Sequence, residues 1–356
     1  MSQRCAEKCR FKISFALFAA WVLLLSACTM EELERFAREK EEVNPLPTSS
    51  TGIVPSAGAL VPHSIIKGGK HEFKGAVGTV ARLLVGPADE VKFVKPVAVG
   101  GRDNFLYIVD AGAKVVFRYN LDTHNISAIG QVGVRFAGDL GNIYVLKDYS
   151  FYIVDSTGKQ VLHFDKEGQL LNTLNDPANL SRPMDVWVNE RNGDVYVADG
   201  SYSHIIVFDR FGRAYKLVGQ RGTGPGRFRA ITDMTAGVDG LYVVDRLELP
   251  IQVFGFEGNF LFSFGEKKQI YPTAIAVDQW KRVYVSDKSD NTIRVYDNKE
   301  LIAEVGGGGA APGRFRLITG MWLKDRFLYV ADSMNKRVQV MQINPEYSGN
   351  FIPLGL

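Results

Sequence analysis

Cysteine is scarce in this chain: there are three in 356 residues, and Cys5 and Cys9 fall in an N-terminal stretch that reads as a secretion leader. Once that leader is removed Cys28 stands alone, so no disulfide can form inside the mature chain. There is no Cys-x-x-Cys-His for covalent haem and no Gly-x-Ser-x-Gly elbow for a serine hydrolase. The apolar run from Ile13 to Ala27 has 15 residues, short of the roughly 20 that cross a bilayer as a helix, and the acidic Glu31-Glu32-Leu33-Glu34 follows it instead of a basic stop-transfer flank. A permanent transmembrane anchor is therefore the weaker reading. An excess of positive charge is also missing. Removing residues 1–27 takes away four basic side chains and one acidic, leaving 38 of each. Nucleic-acid binding draws on a dense basic surface that releases counterions, so no nucleic-acid partner is expected.

What is present begins with the leader. Arg4, Lys8, Arg10 and Lys12 precede the apolar run, which stops at Cys28. The tetrad Leu25-Ser26-Ala27-Cys28 resembles the bacterial lipobox, in which the peptidase cuts before a cysteine whose thiol carries a diacylglyceryl group. The resemblance implies a signal peptide over 1–27, lipidation of Cys28 and a membrane as the first partner, with acyl chains enough for stable anchoring. An ordinary cleavage site before a free cysteine is the alternative. Thr29 stands where an aspartate would suggest inner-membrane retention, which favours the outer membrane if the host has two.

Residues 28–78 are expected to form a flexible tether. Glu31 to Glu42 could make a short helix with little apolar surface to bury, and Pro, Gly, Ser and Thr then dominate from Asn44 to Gly69.

From about residue 79 to 344 the chain repeats. A Tyr-x-x-Asp unit recurs at Tyr107–Asp110, Tyr152–Asp155, Tyr196–Asp199, Tyr242–Asp245, Tyr284–Asp287 and Tyr329–Asp332, with the tyrosines 45, 44, 46, 42 and 45 apart. Nine residues after each tyrosine a second alternating run begins, as in Ile205-Ile206-Val207-Phe208 and Ile293-Arg294-Val295-Tyr296. Period-two alternation with β-branched and aromatic residues predicts strands. An earlier and a later strand flank each pair, and four strands in about 44 residues describe one blade of a β-propeller. The fold class expected is all-β, a six-bladed propeller. The sixth unit ends near Asn344 without a fourth strand, so an N-terminal strand must complete it, and Val80 to Gly86 fits the pattern. Residues 345–356 then form a C-terminal tail.

The repeat cores, such as Tyr196-Val197-Ala198-Asp199 and Tyr329-Val330-Ala331-Asp332, together with Gly219-Gln220-Arg221-Gly222-Thr223-Gly224-Pro225-Gly226-Arg227-Phe228, resemble the NHL repeat. The likeness covers roughly 80–344. It is weaker in blades one and two, where Val91-Lys92-Phe93 and Val134-Arg135-Phe136 stand in for the Gly-Pro-Gly-x-Phe linker. The resemblance implies a propeller and little about its ligand.

Six aspartates at one repeat position could ring a cation, but each closes a strand, where a carboxylate caps backbone N–H groups of the next loop. The aromatic column Tyr119, Phe164, Phe208, Phe254 and Tyr296 is expected to pack blade against blade. Lyase and lactonase propellers collect histidines or carboxylates around an axial metal. Here His63 and His71 fall in the tether, and His124, His163 and His204 occupy three different positions in the blade. No metal and no cofactor are expected, and a metal-dependent enzyme is the alternative function. The least ordinary feature is a duplicated linker, Pro225-Gly226-Arg227-Phe228-Arg229 and Pro312-Gly313-Arg314-Phe315-Arg316, 87 residues apart. Arg227, Arg229, Arg314 and Arg316 either form ion pairs between blades or face solvent, where guanidiniums suit carboxylates, phosphates or sulfates. The function expected is a membrane-anchored envelope lipoprotein whose loops recognise another protein, a peptide or a glycan.

Overall fold

The computed structural model describes residues 58–71, 90–129, 140–247, 250–265 and 271–348. The leader, Cys28, the charged stretch 31–42 and the expected closing strand Val80 to Gly86 lie outside them.

Among the described residues six of the seven sheets are blades; the seventh is a two-stranded parallel pairing of Gln220–Arg221 with Arg227–Phe228. In blade three, Pro183–Asn189, Asp194–Asp199, His204–Phe208 and Ala214–Val218 run antiparallel from the axis outward. Blades one, two, four, five and six repeat this order from innermost strands Pro96–Arg102, Leu140–Val145, Ile231–Ala236, Pro272–Val277 and Ile318–Lys324. The innermost strands neighbour one another around the ring, blade six meeting blade one. Each carries a register shift within its first four residues, as at Pro183/Asp185 and Ile231/Asp233, a bulge that bends the strand locally.

The core is divided among the junctions. Among the described residues there are six apolar clusters, one at each blade-to-blade contact; Val197, Ile206 and Phe208 of blade three, for example, join Val154 and Leu174 of blade two. The expected aromatic column is buried within these clusters, as are all six repeat tyrosines.

Closure is N-terminal, as expected, but by a different strand. Leu60–Ile66 pairs antiparallel with Arg337–Ile343, the third strand of blade six, from Leu60↔Ile343 to Ile66↔Val338. The propeller thus begins near Leu60, not at 79, and the expected tether over 28–78 ends inside it. Residues Gly68–His71 and Glu90–Lys92 extend the outer edge of blade one. His63 accordingly sits on the closing strand, its ring against Phe327 with centroids 4.8 Å apart, and not in a stalk. A bulge between Pro62 and Ser64 breaks the period-two alternation of this strand, and Pro62 is tolerated because the strand is an edge. Those two features give the segment the composition of a linker.

Candidate functional site

The six repeat aspartates are fully buried, and those of blades one, three, four and six bind the start of their own blade. Asp110 accepts hydrogen bonds from Val94 N–H at 2.7 Å and Lys95 N–H at 2.9 Å; Asp199 accepts from Ser181 and Arg182, both at 2.6 Å. Asp245 accepts from Arg229 N–H at 2.6 Å and Asp332 from Arg316 N–H at 2.7 Å. These four carboxylates pin the chain entering their blades to the loop leaving the second strand, so their work is structural. Among the described residues no group of three His, Cys, Asp or Glu side chains could hold a metal ion.

The duplicated linkers are built alike. Phe228 and Phe315 are fully buried, while Arg227, Arg229, Arg314 and Arg316 are exposed. Gln252 accepts from Gly226 N–H at 2.9 Å and donates to the Arg227 carbonyl at 2.6 Å; Gln339 does the same for Gly313 at 3.0 Å and Arg314 at 2.6 Å. Arg337 adds hydrogen bonds to the carbonyls of Ala310, Ala311 and Arg314 in the second linker. None of the four linker arginines makes an ion pair with a described residue, although Arg314 folds back to the Gly306 carbonyl.

The histidines do not converge. His124 bonds the Tyr119 hydroxyl at 2.7 Å; His163 stacks on Tyr152 with centroids 4.0 Å apart, and burial pushes its pKa below the ordinary range; His204 bonds the Asn179 carbonyl at 2.8 Å.

Two axial cavities, which sequence reasoning missed, share Asn142 as a wall residue. The one on the linker face has a volume of about 370 Å³. Two repeat positions form its rim: the residue just before the innermost strand, which gives Lys95, Arg182, Ala230, Tyr271 and Leu317, and the residue after each Tyr-x-x-Asp, which gives Ser156, Gly200, Arg246 and Lys288. A backbone hydrogen bond joins the two positions within a blade, as from Lys288 N–H to the Tyr271 carbonyl at 2.8 Å. Arg246 lies over the Tyr271 ring at 4.7 Å and hydrogen-bonds its hydroxyl, with Lys288 at 5.3 Å from the same ring. Deeper in, Val97, Met184, Thr232, Thr273 and Thr319 form the wall.

The cavity toward the opposite face holds about 250 Å³ and is lined by all six innermost strands. At its inner end stand Asn142, Asp185 and Asp233, from consecutive blades. Asn142 donates to Asp233 at 2.7 Å, Ile275 N–H to Asp233 at 2.8 Å and Met234 N–H to Asp185 at 2.9 Å. Both carboxyls are buried and bonded to each other; burial, and for Asp233 the neighbouring charge, pushes both pKa values up, that of Asp233 well above the usual carboxylate range. A proton taken up here belongs to the two together and not to either residue. Near the outer end Arg102 pairs with Glu190, which also accepts from Tyr144. Blade alignment carries the signal: the position occupied by Asn142, Asp185 and Asp233 is Ala98, Ala274 and Gly320 in the other blades.

No family model and no curated protein sequence matches the chain. Among solved structures, virginiamycin B lyase from Staphylococcus aureus is similar over 70% of this chain and 95% of its own, at a TM-score of 0.51 and 13% identity. Hydrazine synthase from Kuenenia stuttgartiensis is similar over 71% of this chain and 96% of its own, at 0.51 and 11%. An auxiliary nutrient binding protein from Bacteroides thetaiotaomicron is similar over 70% of this chain and 69% of its own, at 0.53 and 11%. Identities this low speak for the fold alone: the chain is a six-bladed β-propeller, and its chemistry has to be read from its own residues.

Proposed function

We propose that this chain is a recognition module of a bacterial cell envelope, anchored by lipid at Cys28, with a propeller of the NHL kind that binds another envelope protein, a peptide or a glycan through its linker face. The observation that carries this reading is the display of Arg227, Arg229, Arg314 and Arg316, exposed on backbone that buried glutamines and aspartates hold in place. A fixed backbone lowers the ordering cost of binding, and guanidiniums recognise anionic groups through paired hydrogen bonds. The nutrient binding protein is a fold neighbour with a binding role in its name. Replacing all four arginines with Gln should leave the melting temperature nearly unchanged, since exposed charges contribute about 0 to 1 kcal/mol per pair, and should reduce recovery of the partner from native envelopes. A destabilised variant, or a stable one that recovers the partner in full, defeats the arginine patch. Anchoring is tested separately: Cys28→Ala should abolish incorporation of labelled fatty acid and arrest processing.

The second reading is an enzyme, and one observation favours it: the buried Asp185–Asp233 pair in an axial cavity, both pKa values raised, where perturbed carboxyls often mark acid–base sites. The lyase among the fold neighbours adds only the fold. For the metal-dependent form of this reading, elemental analysis of the purified full chain should find stoichiometric metal; the recognition reading expects none.

A further inference from the structure

We propose that the axial cavity on the linker face is a binding site for a small organic anion carrying two or more carboxylate or phosphate groups. The inference stands apart from the lipid anchor and from the linker arginines. Its basis is the wall: Lys95, Arg182, Arg246 and Lys288 come from blades one, three, four and five to a single cavity, and no carboxylate lies among the described residues that line it. Four cations line about 370 Å³, with Lys95, Arg182 and Lys288 exposed and Arg246 half-buried, and a cleft lined by one sign of charge focuses its field on an entering anion. The closest repeat aspartates, Asp110, Asp199, Asp245 and Asp287, offset part of this charge, but they lie outside the wall and hold loop and linker N–H groups.

A second observation points the same way. Arg246 Nε and Thr319 Oγ1 are buried in this wall without a hydrogen-bond partner among the described residues. Buried polar atoms are rarely left so, and both can donate to an anion. Size and depth limit the ligand. The volume lies at the lower end for small-molecule sites. Beyond Asn142 the Asp185–Asp233 pair closes the path to further negative charge, so the ligand enters and leaves by the linker face. Tyr271, Met184 and Val97 offer apolar contact to a short carbon skeleton between the charged groups.

The test is titration calorimetry on the purified full chain at low salt, with citrate and inorganic phosphate as probes and uncharged glycerol as control. Saturable binding of one equivalent of citrate, weakened by added salt, is expected; phosphate binding more tightly than citrate would assign the recognised group to a phosphate ester and not a polycarboxylate. Arg182→Gln with Lys288→Gln should weaken the bound probe by about 10-fold or more. Lys95→Gln, at an exposed rim position, should weaken it several-fold and supplies a variant if the double one fails to fold. The linker quadruple variant should bind as the parent does, so failure of the arginine patch and failure of this site are distinguishable. Absence of binding by either anion up to about 10 mM, equal binding of glycerol, or affinity unchanged in the cavity variants overturns the proposal.

Discussion

Asp185 and Asp233 are the residues whose environment departs furthest from what their type prefers, and the departure has a measurable consequence. Burial raises the pKa of both carboxyls in the folded state and so favours a proton on the pair. A carboxyl with a raised folded-state pKa contributes stability in full below its unfolded value, about 3.9 for aspartate, and loses it as pH rises through the folded value. The parent should therefore lose melting temperature as pH climbs from the ordinary aspartate range through neutrality. Asp185→Asn substitutes an amide whose carbonyl can accept the Met234 N–H while its NH₂ donates to Asp233, so no shared proton is needed. The variant should gain on the parent with rising pH, by at most about 1.4 kcal/mol per pH unit for one proton. Thermal melts from pH 4 to 8 read this directly, and a difference that stays constant with pH shows that no proton is shared. The pair was legible in the sequence only after alignment by blade, because the hairpin joining each innermost strand to the second strand differs in length and so varies its distance from the repeat tyrosine. Asp185, Asn142 and Asp233 precede their tyrosines by 11, 10 and 9 residues.

At the scale of elements, β-branched and aromatic content located the second and third strands of every blade, since most are buried on both faces between neighbours and rich in Val, Ile and aromatics. The closing strand escaped the same reasoning because its bulge and proline disguise it. A second missed signal lies in the third strands. Gln252 and Gln339 occupy a position held by Phe117, Leu162, Ile206 and Arg294 elsewhere, and they occur in the two blades that receive a Pro-Gly-Arg-Phe-Arg linker. A buried amide at a strand position implies a backbone segment for it to bind. Gln252→Ala should leave the Gly226 N–H and the Arg227 carbonyl unmatched, costing on the order of 1 to 3 kcal/mol. Gln339→Ala should loosen its linker less, because Arg337 still binds Ala310, Ala311 and Arg314. Amide hydrogen exchange should show faster exchange of Gly226 to Phe228 in the first variant than of Gly313 to Phe315 in the second. Equal acceleration would mean that Arg337 adds nothing to the clamp.

At the scale of the whole molecule, a ring of blades has one seam, and its stability depends on what closes it. Here the seam is the pairing of Leu60–Ile66 with Arg337–Ile343, which joins a segment before blade one to the last strand of the fold. Leu60 and Ile66 are 3% and 8% exposed, so their burial accounts for about 3 to 6 kcal/mol at the usual 1.5 to 3 per large aliphatic side chain. Deleting 58–66 removes that burial, uncovers Met341 and Ile343 in the cluster between blades five and six, and leaves the Arg337–Ile343 strand as an unpaired edge. A lower melting temperature and concentration-dependent aggregation should follow. Deleting 31–57 takes away no residue of the described strands and should leave the melt close to that of the parent. Deleting 80–86 leaves the seam intact and should cost less than the loss of 58–66, because the edge strand of blade six is already supplied by Leu60–Ile66. Thermal melts of the three deletions, each over a range of protein concentrations, rank them; if the loss of 80–86 is the most damaging, the ring is closed by the later segment and the register at Leu60↔Ile343 does not hold in solution.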